Sequence, residues 1–124
     1  MVAATLAQQK EIDDQYDRIL ANADRMFTDN LYPQAKQQYE SALELKPQEA
    51  YPKQKIEELE GILANLEQQR EIDARYLAVM KEANRLFSIK SYNPAKSEYG
   101  NALEIKPDET LPQERIVAID SILL

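Results

Sequence analysis

Ala42-Leu43-Glu44-Leu45-Lys46-Pro47 returns sixty residues later as Ala102-Leu103-Glu104-Ile105-Lys106-Pro107. The same offset lays Glu11-Ile12-Asp13 over Glu71-Ile72-Asp73 and Tyr16 over Tyr76. It also lays Ala23-Asp24-Arg25-Met26-Phe27 over Ala83-Asn84-Arg85-Leu86-Phe87. Residues 4–64 align with 64–124 without a gap, and 25 of the 61 pairs are identical. Chance supplies a handful, so the chain reads as a duplicated unit, with copies expected at 4–63 and 64–124. A repeat of this kind decides the fold before any other signal is weighed.

Within each copy the apolar spacing is helical. Ile12, Tyr16, Ile19, Leu20, Ala23, Met26 and Phe27 fall at steps of three and four, one stripe of an amphipathic helix. Thr28-Asp29-Asn30 is a polar break, and Pro33 suits the first turn of a second helix, where a missing N–H is harmless. Ala35, Tyr39, Ala42, Leu43 and Leu45 stripe that helix. Lys46-Pro47 ends it, because the residue before proline is pushed out of the helical region. Pro52 opens a third helix, striped by Ile56, Leu59, Ile62, Leu63 and Leu66. No strong breaker follows until about Lys90, so this helix is expected to run on into the second copy. The stripe lapses at Gln68-Gln69-Arg70, where the helix passes from one core to the next. Gly61 reads as a tolerated residue inside it, at a cost of about 1 kcal/mol relative to alanine. The predicted helices lie near 3–29, 32–45, 53–89, 92–104 and 112–123, an all-α chain.

Composition removes several chemistries. The 124 residues contain no His, no Cys and no Trp. No catalytic residue, cofactor or metal is therefore expected: there is no imidazole base, no thiolate, no disulfide and no zinc ligand of the usual kind. Two glycines are too few for a phosphate-cradling loop. With 22 acidic and 15 basic residues, the net charge of −7 argues against a nucleic-acid surface, which needs a basic stripe. Acidic clusters at Asp13-Asp14 and Glu57-Glu58-Glu60 read as solvated helix faces with Lys53 and Lys55 nearby. The first nine residues have no basic n-region and no apolar h-region, so they are not a signal peptide. No stretch approaches the roughly 18 apolar residues of a membrane helix. A reducing compartment and an exported protein that avoids thiols both fit the lack of Cys.

Of the seven tyrosines, six pair across the repeat as Tyr16/Tyr76, Tyr32/Tyr92 and Tyr39/Tyr99, while Tyr51 meets Leu111. The paired ones lie on or beside the apolar stripes and read as packing residues, with hydroxyls reaching solvent or a backbone carbonyl.

Tyr16–Glu49 and Tyr76–Glu109 resemble the tetratricopeptide repeat, a 34-residue helix–turn–helix. The matching positions are the small residues Ala23 and Ala83, Tyr32 and Tyr92 before the second helix, and the closing Pro47 and Pro107. Between these run Ala35, Tyr39, Ala42 and Leu43, with Ala95, Tyr99, Ala102 and Leu103 in the second copy. The period is sixty because Ala50–Gln69 is inserted and fuses into the next first helix. The family's large Trp is replaced by Ile19 and Val79, and the Leu after it by Asn22 and Glu82. The buried face is thereby rotated toward Leu20, Met80, Phe27 and Phe87. The resemblance implies tandem helix–turn–helix units, with cores at 16–49 and 76–109. A long shared helix would join them into an elongated α-solenoid or a rod of the spectrin type.

The resemblance also implies a protein or peptide partner on the first-helix faces. The corresponding positions are Asp17, Leu20, Asp24, Phe27 and Thr28, then Leu77, Met80, Asn84, Phe87 and Ser88. For Leu20, Met80, Phe27 and Phe87 a core role stands equally open. The subset of the family that clamps acidic C-termini uses Lys, Asn and Arg here. Leu20 and Met80 replace that Lys, so only Asn84 matches. Residues 4–10 match 64–70, and Ser121–Leu124 match Gly61–Ala64, where the first copy carries on. The chain is accordingly expected to be a piece of a longer array, whose apolar end stripes favour self-association. Arrays of this style resemble those of bacterial multi-domain and cell-envelope proteins. The expected role is a non-enzymatic interaction scaffold or spacer. Two other roles stay open, a regulatory or sensor segment of a larger protein and a homo-oligomerising rod.

Overall fold

The computed structural model describes residues 5–124. The predicted helix start at residue 3, and residue 4 of the first copy, lie outside the described residues. Among these residues the chain is all-helical: α1 (Leu6–Thr28), α2 (Tyr32–Leu45), α3 (Ala50–Ser88), α4 (Tyr92–Ile105) and α5 (Thr110–Ile122). None of these helices is long and apolar enough to cross a membrane.

Local chemistry sets each boundary. Thr5 caps α1: its hydroxyl accepts from the Gln8 amide at 3.1 Å, while Gln8 Oε1 accepts from the Thr5 amide at 2.9 Å. This reciprocal pair satisfies two donors that a helix start leaves free. The α1 C-terminus closes on Asn30 in the left-handed region, φ 64°. There the Leu31 amide donates to Met26 O at 2.9 Å and the Asn30 amide to Phe27 O at 3.0 Å. That bond pair stops the helix and turns the chain into α2. Lys90, φ 66°, does the same at the end of α3, with Ser91 bonded to Leu86 O and Lys90 to Phe87 O. Lys46 and Lys106, each before a proline, are extended at φ −135° and −133° and end α2 and α4.

Two starts differ from the sequence expectation. α3 begins at Ala50 and α5 at Thr110, two to three residues before the predicted 53 and 112. Pro52 and Pro112 therefore occupy the third helical position. The first turn makes no i−4 bonds through its amides, so proline is as acceptable there as at the very first residue. Both rings are fully buried, so they pack as well as punctuate.

The described chain forms two compact units, divided between Leu66 and Glu67. The first core joins Ala23 of α1, Ala35 and Tyr39 of α2, and Leu59 of α3, flanked by Leu20, Met26, Phe27, Tyr32 and Ile56. The second joins Met80 and Ala83 of α3, Ala95, Tyr99 and Ala102 of α4, and Ile119 of α5. Small alanines at the crossings let helix axes approach, and one large tyrosine per unit fills the space they leave. Residues 64–71 of α3 are all exposed, so the lapse expected at Gln68-Gln69-Arg70 starts earlier. Leu66, read as a stripe residue, is 47% exposed because the first core ends before it.

Outside the cores, contacts recur at the sixty-residue offset. Lys46 bonds Asp13 at 2.7 Å and lies 4.8 Å over the Tyr16 ring. Lys106 bonds Asp73 at 2.6 Å and lies 5.0 Å over Tyr76. Phe27 meets Tyr32 edge-on at 5.8 Å, and Phe87 meets Tyr92 at 5.7 Å.

Candidate functional site

In the first unit, α1, α2 and α3 converge on a cleft of about 290 Å³ lined by Asp24, Phe27, Thr28, Tyr39, Tyr51 and Lys55. α1 supplies the first three because they stand one helical turn apart, at i, i+3 and i+4. Tyr39 rises from α2 through the core, and Tyr51 and Lys55 come from the first turns of α3. The centre is the Asp24 carboxylate, which accepts hydrogen bonds from the Tyr39 hydroxyl and, at 2.8 Å, from the Tyr51 hydroxyl. Burial, reinforced by Asp24, pushes the Tyr39 phenol far above its ordinary range. Tyr51 is raised by the same causes to a lesser degree. Both phenols therefore stay protonated donors at neutral pH. Lys55 Nζ lies 4.8 Å over the Phe27 ring and 5.6 Å over Tyr51, and pairs with Glu58 at 3.6 Å.

The second unit carries the same frame with other chemistry. The Tyr99 hydroxyl donates at 2.6 Å to the Asn84 side-chain oxygen, a neutral acceptor where Asp24 is charged. Phe87 packs edge-on against Tyr99 at 6.4 Å, and the Arg115 guanidinium sits 4.8 Å over the Phe87 ring. Burial raises the Tyr99 phenol, while the positive charge of Arg115 pulls it back down. The tyrosine hydroxyls thus correct one sequence expectation. Tyr39 and Tyr99 reach side-chain oxygens on the neighbouring helix, not solvent or backbone carbonyls.

Of the predicted partner face, Asp24, Phe27 and Thr28 line the first cleft together. Asn84, Phe87 and Ser88 occupy the matching positions on α3. Leu20 packs half-buried on the first core, and Met80 is inside the second at 5% exposure, so both contribute stability. Phe27 and Phe87 do both jobs, lying on the core with one face under a cation. Thr28 and Ser88 spend their hydroxyls on the backbone oxygens of Asp24 and Arg85. Asp17 is exposed and Leu77 is 65% exposed, and neither lines the cleft or joins a core.

Sequence reasoning missed Tyr51, Lys55 and Arg115. Their signal lay where the copies disagree: Tyr51 against Leu111, Lys55 against Arg115, Glu58 against Ala118. Two grooves elsewhere on α1 and α2, about 320 and 410 Å³, share Arg18 and Ile19 and contain none of the predicted residues. Among the described residues no group of three or more Asp or Glu side chains is placed to hold a metal ion. Compared with protein-family models, curated proteins and solved structures, the chain matches none.

Proposed function

We propose that this chain is a non-catalytic protein-interaction scaffold or spacer built of tetratricopeptide-like units. A protein or peptide partner lies on the face formed by Asp24, Phe27 and Thr28, and on its counterpart at Asn84, Phe87 and Ser88. The observation that carries this reading is the first cleft, where three helices bring rings, a carboxylate and an ammonium to one open surface. Mixed aromatic and polar lining of that kind orients a ligand without any nucleophile–base pair. The family assignment is supported by Ala23, Tyr32, Ala35, Tyr39 and Pro47 and their copies, and the elongated solenoid by the sixty-residue recurrence. Small-angle scattering tests the latter; a particle near the roughly 14 Å radius of gyration of a compact chain this long refutes it.

Partner capture tests the face. Leu77→Ala, Ser88→Ala and Asn84→Asp combined are expected to abolish affinity capture and leave helicity intact. Asp is used at 84 so that Tyr99 keeps an acceptor. Undiminished capture moves the site elsewhere.

A second reading, self-association, is favoured by one observation. Val117, Ile122, Leu123 and Leu124, on α5 and just past it, are 65%, 49%, 47% and 105% exposed. Sedimentation equilibrium is then expected to show a concentration-dependent dimer that Ile122→Lys dissociates. A monomer at all concentrations removes this reading.

A further inference from the structure

The two faces differ in charge. In the first, Lys55 pairs with Glu58 at 3.6 Å, and Asp24 adds a second carboxylate to the same cleft. In the second, Arg115 replaces Lys55, Ala118 replaces Glu58 and Asn84 replaces Asp24. Both carboxylates are lost and the cation is kept. Three and four residues either side of Arg115 stand Leu111, Pro112, Ala118 and Ile119, none of which can pair with it along the helix. Among the described residues Arg115 makes no ion pair, and its Nε is buried without a hydrogen-bond partner.

That guanidinium is held in place by the Phe87 ring beneath it. Its two Nη groups are not buried and make no hydrogen bond among the described residues, so an arriving carboxylate meets free, charged donors. The planar fork of arginine matches a carboxylate, and its charge strengthens each bond. Leu111, one turn before Arg115 on α5 and 43% exposed, adds apolar surface beside it. We propose that Arg115 receives the side-chain carboxylate of an aspartate or glutamate inside a peptide partner bound to the second unit. This deepens the interaction reading above and rests on it. One isolated cation suits one side-chain carboxylate; gripping a chain terminus takes several donors around it.

The probe is a short fluorescent peptide of Glu, Leu and Ala, amidated at its C-terminus, beside a twin with Gln for Glu. A third peptide has the Gln sequence with a free C-terminal carboxylate. The Glu peptide is expected to bind about tenfold tighter than its Gln twin. Arg115→Gln should erase that difference. Asn84→Asp with Ala118→Glu restores the carboxylates of the first unit without touching Arg115, and should erase it too. This pair carries the test if Arg115→Gln fails to fold, as judged by circular dichroism. Equal binding of the twins, or a difference that survives these changes, overturns the role of Arg115 and leaves the interaction reading standing. Preference for the free C-terminus over internal Glu overturns it as well. No binding of any peptide at millimolar concentration counts against both.

Discussion

At φ 66° the Cβ of Lys90 crowds its own carbonyl oxygen, a strain that glycine lacks and asparagine offsets through local hydrogen bonds. Asn30 fills the same turn in the first unit. Lys90→Gly is therefore expected to raise stability by about 0.5–1 kcal/mol, with Lys90→Asn in the same direction. The urea midpoint measures it, and a lower midpoint for both variants contradicts the strain. Asp13 and Asp73 are held below the usual carboxylate range by hydrogen bonds from Lys46 and Lys106. A carboxyl with a lowered folded pKa adds stability above its unfolded value near 3.9, and that share is lost as pH falls through the folded value. Lys46 and Lys106, raised by the same bonds, contribute below about 10.4 and lose that share as pH rises through their folded values. NMR titration of the Asp13 carboxyl should give a midpoint below about 3.9 that climbs back in Lys46→Met.

Helices α3 and α4 each carry a glycine with nothing within 4 Å of where a Cβ would stand, Gly61 and Gly100. Neither has positive φ, so neither is there for a turn. Gly61→Ala and Gly100→Ala should each stabilise by about 0.5–1 kcal/mol, read from the thermal midpoint. Unchanged or lower midpoints would mean that the glycines serve a close approach absent from the isolated chain. At this scale the sequence was most readable. Steps of three and four fixed the stripes, and Lys46-Pro47 and Asn30 fixed the stops. The starts of α3 and α5 were missed because Pro52 and Pro112 constrain only amides that the first turn does not use. In the site, Asp24, Phe27 and Thr28 were named by the resemblance to the tetratricopeptide repeat. Lys55 and Arg115 did not, since periodicity tells which positions turn inward but not which long side chain folds back over a ring.

Each unit rests on a few large buried groups, which makes its stability local. Leu59 and Ile119 occupy matching positions and are fully buried. Leu59→Ala and Ile119→Ala should each cost about 2–5 kcal/mol. Hydrogen exchange should quicken first in the helices packed on the truncated residue: α1 and α2 for Leu59→Ala, and α4 with the Met80–Ala83 turn of α3 for Ile119→Ala. A uniform change throughout the chain would refute that locality. Light emission distinguishes the units as well. With no tryptophan in the chain, all its ultraviolet fluorescence comes from tyrosine. A phenol bonded to a carboxylate hands over its proton in the excited state and goes dark, whereas one bonded to a neutral amide does not. Tyr39 and Tyr51 share Asp24, while Tyr99 faces Asn84. The first unit is thus the dim one and brightens as it opens, so a single colourless protein reports which of its halves has come apart.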